Sequence, residues 1–498
     1  MQNQRAPHLN RTLIMVVMIS GAFVSILNET LLNVALPSIM RELHISTTTA
    51  QWLTTGYMLT NGVLIPASAF LIQRFSTRTL FLTAMGLFSA GTLIAAVSPD
   101  LALLLVGRVV QASGAAIMLP LLMTTVLAMY EPHERGGAMG IMGLVITFAP
   151  AIGPTLSGWL VEHHSWRILF FVVLPVAILD LIFAALYLRN FTETRKTSIR
   201  IPSLILSTLG FGGILYGFST AGNVGWSNER VYISLAIGIL SLAAFTIQQL
   251  RMQEPMLEVR VFRYGIFSLT TAINVMVMMA MFSSMLLFPL YLQNVHGFTS
   301  LRSGLLVLPG AAIMGILSPI TGKLFDKIGA RPLAIVGSIL TLGSMYRFSR
   351  LTATTHYSTL IITFAIMMAG MSLLMMPVMT AGLNQLPSRL HAHGTAMGNT
   401  LQQVAGAIGT ALLVTVMTQG TKSQYQNLAS SAAHPLTTPS AMAQAYKEAT
   451  VHGIDQAFLV SCIFAVLALV GSFFIRRHIQ KAAEAEASSK RLRTVKDA

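Results

Sequence analysis

The sequence is a succession of long apolar stretches separated by short polar segments. A helix needs about 20 mostly apolar residues to cross the hydrocarbon core of a bilayer. Stretches of this length recur along nearly the whole chain, which predicts an all-α membrane protein with fourteen transmembrane helices. The predicted spans are 12–36, 50–72, 79–98, 101–127, 138–161, 167–188, 201–220, 231–250, 266–292, 303–324, 332–349, 357–381, 394–418 and 457–475.

The composition agrees with a chain whose solvent is mostly lipid. Of its 498 residues, 54% are hydrophobic and 10% are charged, whereas about a quarter of the residues of a soluble domain are charged. A cleaved signal peptide is the alternative reading of the N-terminus. The first apolar run, from Leu13, is longer than the usual apolar core of about 7–15 residues and lacks an evident cleavage site, which favours a span.

The net charge of +15 is unevenly distributed between the predicted loops. If the N-terminus is inside, Lys and Arg concentrate in the inner segments and in the tail, 476–498. Because such an excess marks the cytoplasmic side, we expect residues 1–11 and the tail to be cytoplasmic. A nucleic-acid partner would need the basic residues gathered on one soluble face, so none is expected.

Short patterns that contain Pro or Gly recur at a nearly constant offset along the sequence, which indicates an internal repeat. Matching short patterns lie 252, 253 and 258 residues apart: Pro37 and Pro289; Pro66-x-x-Ala69 and Pro319-x-x-Gly322; Gly137-Ala-Met-Gly140 and Thr395-Ala-Met-Gly398. They pair the first six spans with the last six in the same order and orientation. We therefore expect an N-terminal six-helix bundle (12–190), a two-helix insert (191–265), and a C-terminal six-helix bundle (266–475) that includes a long outer loop (419–455).

Three ionisable residues stand out within the predicted spans: Glu29, Arg108 and Asp180. A charge at bilayer depth costs about 2.5–3.5 kcal/mol on insertion scales, so each needs a reason. For Glu29 and Arg108 we favour a functional role over a merely structural one, and Arg108 must meet a counter-charge, a carbonyl or water. Asp180 is either a second titratable site or an acid tolerated within the bundle.

The first span carries a small, polar stripe. Gly21, Ser25, Glu29 and Asn33 recur at i, i+4 spacing and therefore share a helix face, and Asn28 adjoins them. This pattern is typical of a helix that forms one wall of a cavity.

Three motifs resemble those of the drug:proton antiporters of the major facilitator superfamily, specifically its fourteen-helix branch and the lincomycin-resistance type of multidrug exporter. The first and fourth spans read Leu27-Asn-Glu-Thr-Leu-Leu-Asn-Val-Ala-Leu-Pro37 and Arg108-Val-Val-Gln111-Ala-Ser-Gly114. The fifth span carries an antiporter-motif pattern at Gly143, Pro150, Gly153, Pro154 and Gly158.

The resemblance covers about residues 12 to 475 and implies the major facilitator fold. It implies that Arg108 takes part in proton transfer and that the fifth span is a feature of exporters. The first-span motif departs from the family pattern because Asn28 stands where an Asp is usual. Glu29 is then the acid that we expect to carry the proton.

A fourth motif resembles the superfamily's cytoplasmic loop, in which an Asp and an Arg latch helix ends in one conformation. The second-half copy contains Gly322, Asp326 and Arg331. The first-half copy keeps Arg74 and Arg78 but has Gln73 where the Asp is expected. We expect the first-half latch to be the weaker one.

These observations predict a proton-coupled antiporter that exports lipophilic drugs through a cavity lined by polar and adaptable Met side chains. The expected lining residues are Ser25, Asn28, Asn33, Tyr57, Asn61, Gln111, Met279, Met375, Asn399 and Gln402, and Gln403 is a further candidate for a polar contact. The expected partners are the bilayer of the cell membrane, protons and small molecules. No cofactor or metal is expected, and we expect a monomer.

Other functions remain open. The nearest alternative is a facilitator for a metabolite, a siderophore or a lipid on the same scaffold. A membrane-embedded enzyme is a more distant one, since the sequence lacks the H-E-x-x-H, P-loop and G-x-S-x-G patterns. A receptor that transports nothing is a third.

Overall fold

The computed structural model describes residues 11–190, 200–298, 300–431 and 438–475, and these residues form fourteen long helices. Lipid offers no hydrogen-bond partners, so a chain that crosses it must satisfy its backbone within helices or closed barrels. In chain order the helices are α1 (Arg11–Leu43), α2 (Trp52–Arg74), α3 (Thr77–Ala96), α4 (Leu101–Met129), α5 (Arg135–His163), α6 (Ile168–Tyr187), α7 (Ile201–Val224), α8 (Glu229–Arg251), α9 (Gly265–Asn294), α10 (Ser300–Ile328), α11 (Ala330–Phe348), α12 (Tyr357–Leu383), α13 (His391–Ser431) and α14 (Pro439–Phe473).

Thirteen of these helices contain a segment long and apolar enough to cross a membrane. The exception is α11, which has 19 residues and carries several Gly and Ser residues. Its Ser338 lies 3.4 Å from Ser472 of α14, Oγ to Oγ, in a buried contact between the two helices. The all-α fold predicted from the recurring long apolar stretches is confirmed.

The two six-helix bundles repeat the same packing scheme. In the first, α1 packs against α4, α5 and α6, while α3 packs against α4 and α6. In the second, α9 packs against α12, α13 and α14, while α11 packs against α12 and α14. Each contact of the first bundle is therefore reproduced eight helices later, which confirms the parallel repeat.

The two inserted helices lie on one side of the seam between the bundles. Helix α7 packs against α2 of the first bundle, α13 of the second, and α8. Its contact with α8 is close, because a Cβ on Gly213 would lie 2.8 Å from the carbonyl oxygen of Ser234. The insert is thus docked across both bundles through α7 rather than standing apart from them.

The bundles meet most extensively where α5 packs against α10. The contact lies at the end of the molecule where α1 begins and α14 ends, which we call the termini face. Small residues permit it: a Cβ on Gly140 would lie 2.9 Å from the Cα of Pro319, and a Cβ on Gly322 would meet the backbone of Gly136. The termini face is therefore closed by direct backbone apposition.

The segment predicted as a long outer loop, 419–455, differs from that expectation. Helix α13 continues to Ser431 and α14 begins at Pro439, so most of the segment is helical. Tyr425 and Tyr446 pack edge to face with ring centroids 6.1 Å apart, which joins the two helices near their connection. Residues 1–10, 191–199 and 476–498, which include most of the predicted N-terminal segment and the basic tail, lie outside the described residues.

Substitution of Gly322 by Ala tests the apposition of α5 and α10. The new Cβ would collide with the Gly136 backbone, so we expect the free energy of unfolding to fall by about 1–3 kcal/mol, as for other overpacked sites. Thermal unfolding in detergent measures this. The control is Gly343→Ala in α11, where a Cβ meets nothing within 4 Å; equal destabilisation by both substitutions would refute the tight contact.

Candidate functional site

Arg108 of α4 is the centre of a buried charged cluster. Its side chain is 1% exposed, and its guanidinium lies over the Tyr57 ring at 4.0 Å from the ring centroid. It donates to Gln111 Oε1 at 2.7 Å and, more weakly, to the Leu53 carbonyl oxygen at 3.4 Å. Gln111 in turn donates to Thr92 Oγ1 at 2.7 Å. The cluster therefore joins α2, α3 and α4 inside the first bundle.

Glu29 of α1 supplies the negative charge near this cluster. Its carboxylate interacts electrostatically with both Arg108 and Tyr57. Among the described residues, however, Glu29 forms no ion pair within 4.0 Å. The predicted pair is thus brought to one site, and its charges act on each other without a direct hydrogen bond.

The structure describes few hydrogen bonds for the other polar residues of the α1 stripe. Ser25 donates to the carbonyl oxygen of Gly21 at 2.9 Å, within its own helix. The Asn28 side-chain nitrogen is buried with no hydrogen-bond partner in the described part of the chain. The Asn33 side chain lies outside the described residues.

Asp180 of α6 occupies a separate place within the first bundle. It is 4% exposed, accepts a hydrogen bond from Ser20, and its Oδ2 has no partner among the described residues. It faces α1, since a Cβ on Gly21 would lie 2.9 Å from that oxygen. The structure therefore buries Asp180 between α1 and α6, and Arg108 is not among the groups that act on it.

Asp326, at the end of α10, closes the termini face. Its two carboxylate oxygens accept hydrogen bonds from the backbone N–H groups of Gly136 and Gly137, at 2.8 and 2.9 Å. These groups belong to the first turn of α5, where unpaired N–H groups and the helix dipole favour an anion. The contact joins the two bundles through charge and helix dipole.

The basic residues of the loop motif have other roles. Arg331 and Arg74 are exposed. Arg78 is also exposed and donates to the Ala185 carbonyl oxygen at 2.6 Å, which holds the start of α3 against the end of α6. Arg135, outside the motif, donates across the bundles to Asn384 Oδ1 at 2.7 Å. The helix ends are latched by Asp326 and Arg135, and sequence reasoning did not identify Arg135.

A weaker contact occupies the position related to the Asp326 contact by the repeat. The Gln73 side-chain nitrogen at the end of α2 lies 2.7 Å from Nε2 of His393 in the first turn of α13. Nδ1 of that ring accepts from the Glu258 backbone N–H at 3.2 Å. An uncharged amide thus replaces the carboxylate in the degenerate copy of the motif.

The glycines and prolines of the fifth-span motif serve two different interfaces. A Cβ on Gly143 would lie 2.9 Å from Met376 Cγ of α12 and 3.2 Å from Ser318 Oγ of α10, across the bundles. Gly153 instead approaches Thr30 of α1, within its own bundle. The chain stays helical through Pro150 and Gly158, and the Pro154 side chain lies outside the described residues.

A cavity of about 330 Å³ lies beside the cluster, towards the face opposite the termini. Helices α2, α7, α9 and α13 form its walls. The lining residues are Thr55, Met58, Leu59, Leu215, Phe218, Ser219, Phe282, Leu286, Leu290, Gln403, Gly406, Ala407, Thr410, Ala411, Val414 and Met417.

Of the residues predicted to line a cavity, only Gln403 belongs to this lining. Tyr57 and Gln111 are buried in the charged cluster, and Asn61, Met279 and Met375 are each less than 9% exposed. The two remaining polar residues contact methionine sulfurs: Asn399 donates to Met123 at 3.7 Å, and Gln402 donates to Met379 at 3.5 Å. Sequence reasoning therefore identified Gln403 and missed the other residues of the cavity.

Helix α2 separates the cluster from the cavity. Tyr57 points to the cluster, whereas Thr55, Met58 and Leu59 point to the cavity. Successive residues of a helix are rotated by about 100°, so these positions lie on opposite faces of α2. Any change around Arg108 that shifts α2 must also move one wall of the cavity.

Replacement of Arg108 by Lys tests the cluster. Lysine lacks the planar fork that contacts Gln111, Leu53 and the Tyr57 ring together. We expect the free energy of unfolding to fall by about 1.5–3 kcal/mol, the usual value of a hydrogen bond to a charged group, as measured by thermal unfolding in detergent. The control is Arg350→Lys, since Arg350 stacks over Tyr346 at an exposed position; similar losses in both variants would contradict this assignment.

Comparison with known proteins identifies the family of the chain. Residues 18–410 match the model of the Major Facilitator Superfamily. The uncharacterized MFS-type transporter YhcA of Bacillus subtilis is 46% identical, over 93% of this chain and 92% of the relative. The lincomycin resistance protein LmrB of Bacillus subtilis is 44% identical, over 93% of this chain and 95% of the relative.

Solved structures share the fold at low identity. The crystal structure of the human organic anion transporter MFSD10 has a TM-score of 0.64 at 11% identity, and the alignment covers 94% of this chain and all of that one. Since the family model spans most of the sequence and close relatives cover nearly all of it, the chain is a multi-pass membrane transporter that belongs to the Major Facilitator Superfamily.

Proposed function

We propose that this transporter is a proton-coupled antiporter that exports lipophilic drugs by alternating access. The observation that carries the proposal is the arrangement around α2: a half-buried acid near a buried arginine on one face and an apolar cavity on the other. Relatives named for resistance to lincomycin and for multidrug resistance support drugs as the substrates.

In this mechanism Glu29 carries the proton. With no ion pair to hold it ionised, its charge is balanced only at a distance by Arg108. Protonation removes one of the two charges and leaves Arg108 on Gln111, Leu53 and Tyr57, which changes the forces on α2. A ligand shifts such an equilibrium only through its different affinities for the two conformations.

Coupling is therefore indirect. The substrate in the cavity contacts Thr55, Met58 and Leu59, while the proton acts on the opposite side of the same helix. The two ligands share a wall rather than a binding residue. Reciprocity then requires that proton binding and substrate binding alter each other's affinity by the same factor.

In this conformation the two bundles are closed against each other at the termini face. The contact of α5 with α10, the Asp326 hydrogen bonds and the Arg135–Asn384 hydrogen bond all join the bundles there. The cavity lies towards the opposite face. We place the termini in the cytoplasm because Lys and Arg favour that side, so this state releases its substrate outward from a cell membrane.

The remaining components of the proposal concern partners. Protons and lipophilic molecules are the two transported species, and the bilayer surrounds a monomer with no cofactor. Asp180 is a candidate for a second proton site, because its Oδ2 is buried without a partner in the described structure.

Replacement of Glu29 by Gln tests proton coupling. The amide keeps the shape but does not titrate, so we expect export driven by a pH gradient to be lost in proteoliposomes. Equilibrium binding of the substrate is expected to persist, because the cavity lies on the other side of α2. Glu162→Gln, at an exposed position in α5, is the matched control. Full export by the Glu29 variant, with the gradient verified, would move the role to Asp180, which Asp180→Asn then tests.

Replacement of Asp326 by Asn tests the latch. One amide oxygen replaces two carboxylate oxygens, and the loss of a charge-assisted hydrogen bond of about 1.5–3 kcal/mol predicts roughly a tenfold or larger fall in the closed population. A cysteine at Thr395, buried at the termini face, reports opening by faster thiol labelling in a Cys462→Ser background.

The control for the latch is Asp100→Asn at the start of α4. Asp100 caps that helix by accepting from the Leu103 N–H at 2.8 Å, and Asn caps equally well. The latch hypothesis fails if both variants label at the rate of the unsubstituted protein.

A further inference from the structure

The lining of the 330 Å³ cavity contains no charged residue. Twelve of its sixteen residues are apolar, and the four polar ones are neutral: Thr55, Ser219, Gln403 and Thr410. The volume lies within the usual range of about 300–1,000 Å³ for small-molecule sites. The cavity is therefore large enough for an organic molecule and chemically neutral throughout.

The four polar side chains are available to a ligand. Within the ranges that the structure describes, none of them takes part in a side-chain hydrogen bond. Ser and Thr side chains in helices commonly bond to the carbonyl four residues earlier, as Thr415 does to Ala411 at 2.7 Å. Thr410, one turn before Thr415, leaves its hydroxyl facing the cavity.

The charged cluster of Arg108 and Glu29 lies on the other side of α2. Arg108 is already bound to Gln111, Leu53 and the Tyr57 ring, and the Glu29 charge is opposed by Arg108. A cation placed in the cavity would lose its hydration with no opposite charge in contact. Burial of an unpaired charge costs far more than burial of a hydrogen-bonded neutral group.

The insert takes part directly in forming this neutral cavity. Leu215, Phe218 and Ser219 of α7 form one wall of the cavity. The wall is fixed at two points: Tyr216 stacks on Trp52 of α2 with centroids 5.9 Å apart, and Trp226 donates to Thr415 Oγ1 of α13 at 2.7 Å. Helix α7 thus completes a site that the six-helix bundles alone would leave open on this side.

We propose that this cavity, walled by the inserted helix α7, binds uncharged amphipathic molecules that carry hydrogen-bonding groups, and rejects fixed cations. The apolar surface takes the lipophilic part, and the four neutral polar groups take hydroxyl or amide groups. The inference deepens the proposed export function and rests on it for the direction of transport, but it concerns binding at a defined set of residues.

The test uses two fluorescent probes of matched size. One is a neutral amide whose ring system contains no tertiary amine, and the other is its analogue with one quaternary ammonium group. Equilibrium binding to the purified full-length protein in detergent needs no pH gradient. We expect the neutral probe to bind at least about tenfold more tightly, which corresponds to 1.4 kcal/mol. Export from proteoliposomes should show the same preference.

Gln403→Glu places a carboxylate in the cavity and should reverse the preference, with a gain of about tenfold or more for the cationic probe. Thr410→Asp provides a second variant in case the first does not fold. Gln293→Glu adds the same charge at an exposed position near the end of α9 and should leave both affinities unchanged.

The outcomes separate the two hypotheses. Equal binding of both probes, or the absence of binding by either, overturns the inference, as does a failure of both charged variants to favour the cation. If the neutral probe binds with the expected preference but no pH gradient drives its export, the inference about the cavity stands and the proposed antiport fails.

Discussion

The need to satisfy a permanent charge in a medium without water fixes the centre of this structure. Arg108 carries five N–H donors and stays ionised, so its surroundings must supply acceptors. Gln111, the Leu53 carbonyl and the Tyr57 ring do so, and Thr92 holds Gln111 in turn. Helices α2, α3 and α4 are thereby tied to one guanidinium, and α1 brings the acid Glu29 near it.

This arrangement gives a physical basis for coupling two ligands that do not meet. In the proposed mechanism the acid acts on one face of α2 and the cavity lies on the other, so the helix would transmit the effect as a rigid body. The inserted helix α7 contacts the same helix, because its Tyr216 stacks on Trp52 of α2. In the proposed mechanism, a movement of α2 would therefore be opposed by its contact with α7 as well as by the cluster.

The long apolar stretches were sufficient to predict the helices, and the recurring short sequence patterns were sufficient to predict the two bundles. The clustering of Glu29 with Arg108 also followed from the cost of isolated charges in lipid. The cavity did not follow, because its lining depends on the rotation of each helix about its axis. Gln402 and Gln403 are neighbours about 100° apart, and only the docking of α7 determines which one faces an open volume.

The partners of Asp326 were also beyond sequence reasoning, since they are backbone N–H groups that carry no residue signature. Their counterpart, Gln73 with His393, shows how the repeat has diverged chemically while keeping its geometry. One copy places a full negative charge on a helix N-terminus, and the other places a neutral amide on an imidazole. Because the charged contact is the stronger of the two, the α5–α10 side of the termini face is held more firmly than the α2–α13 side.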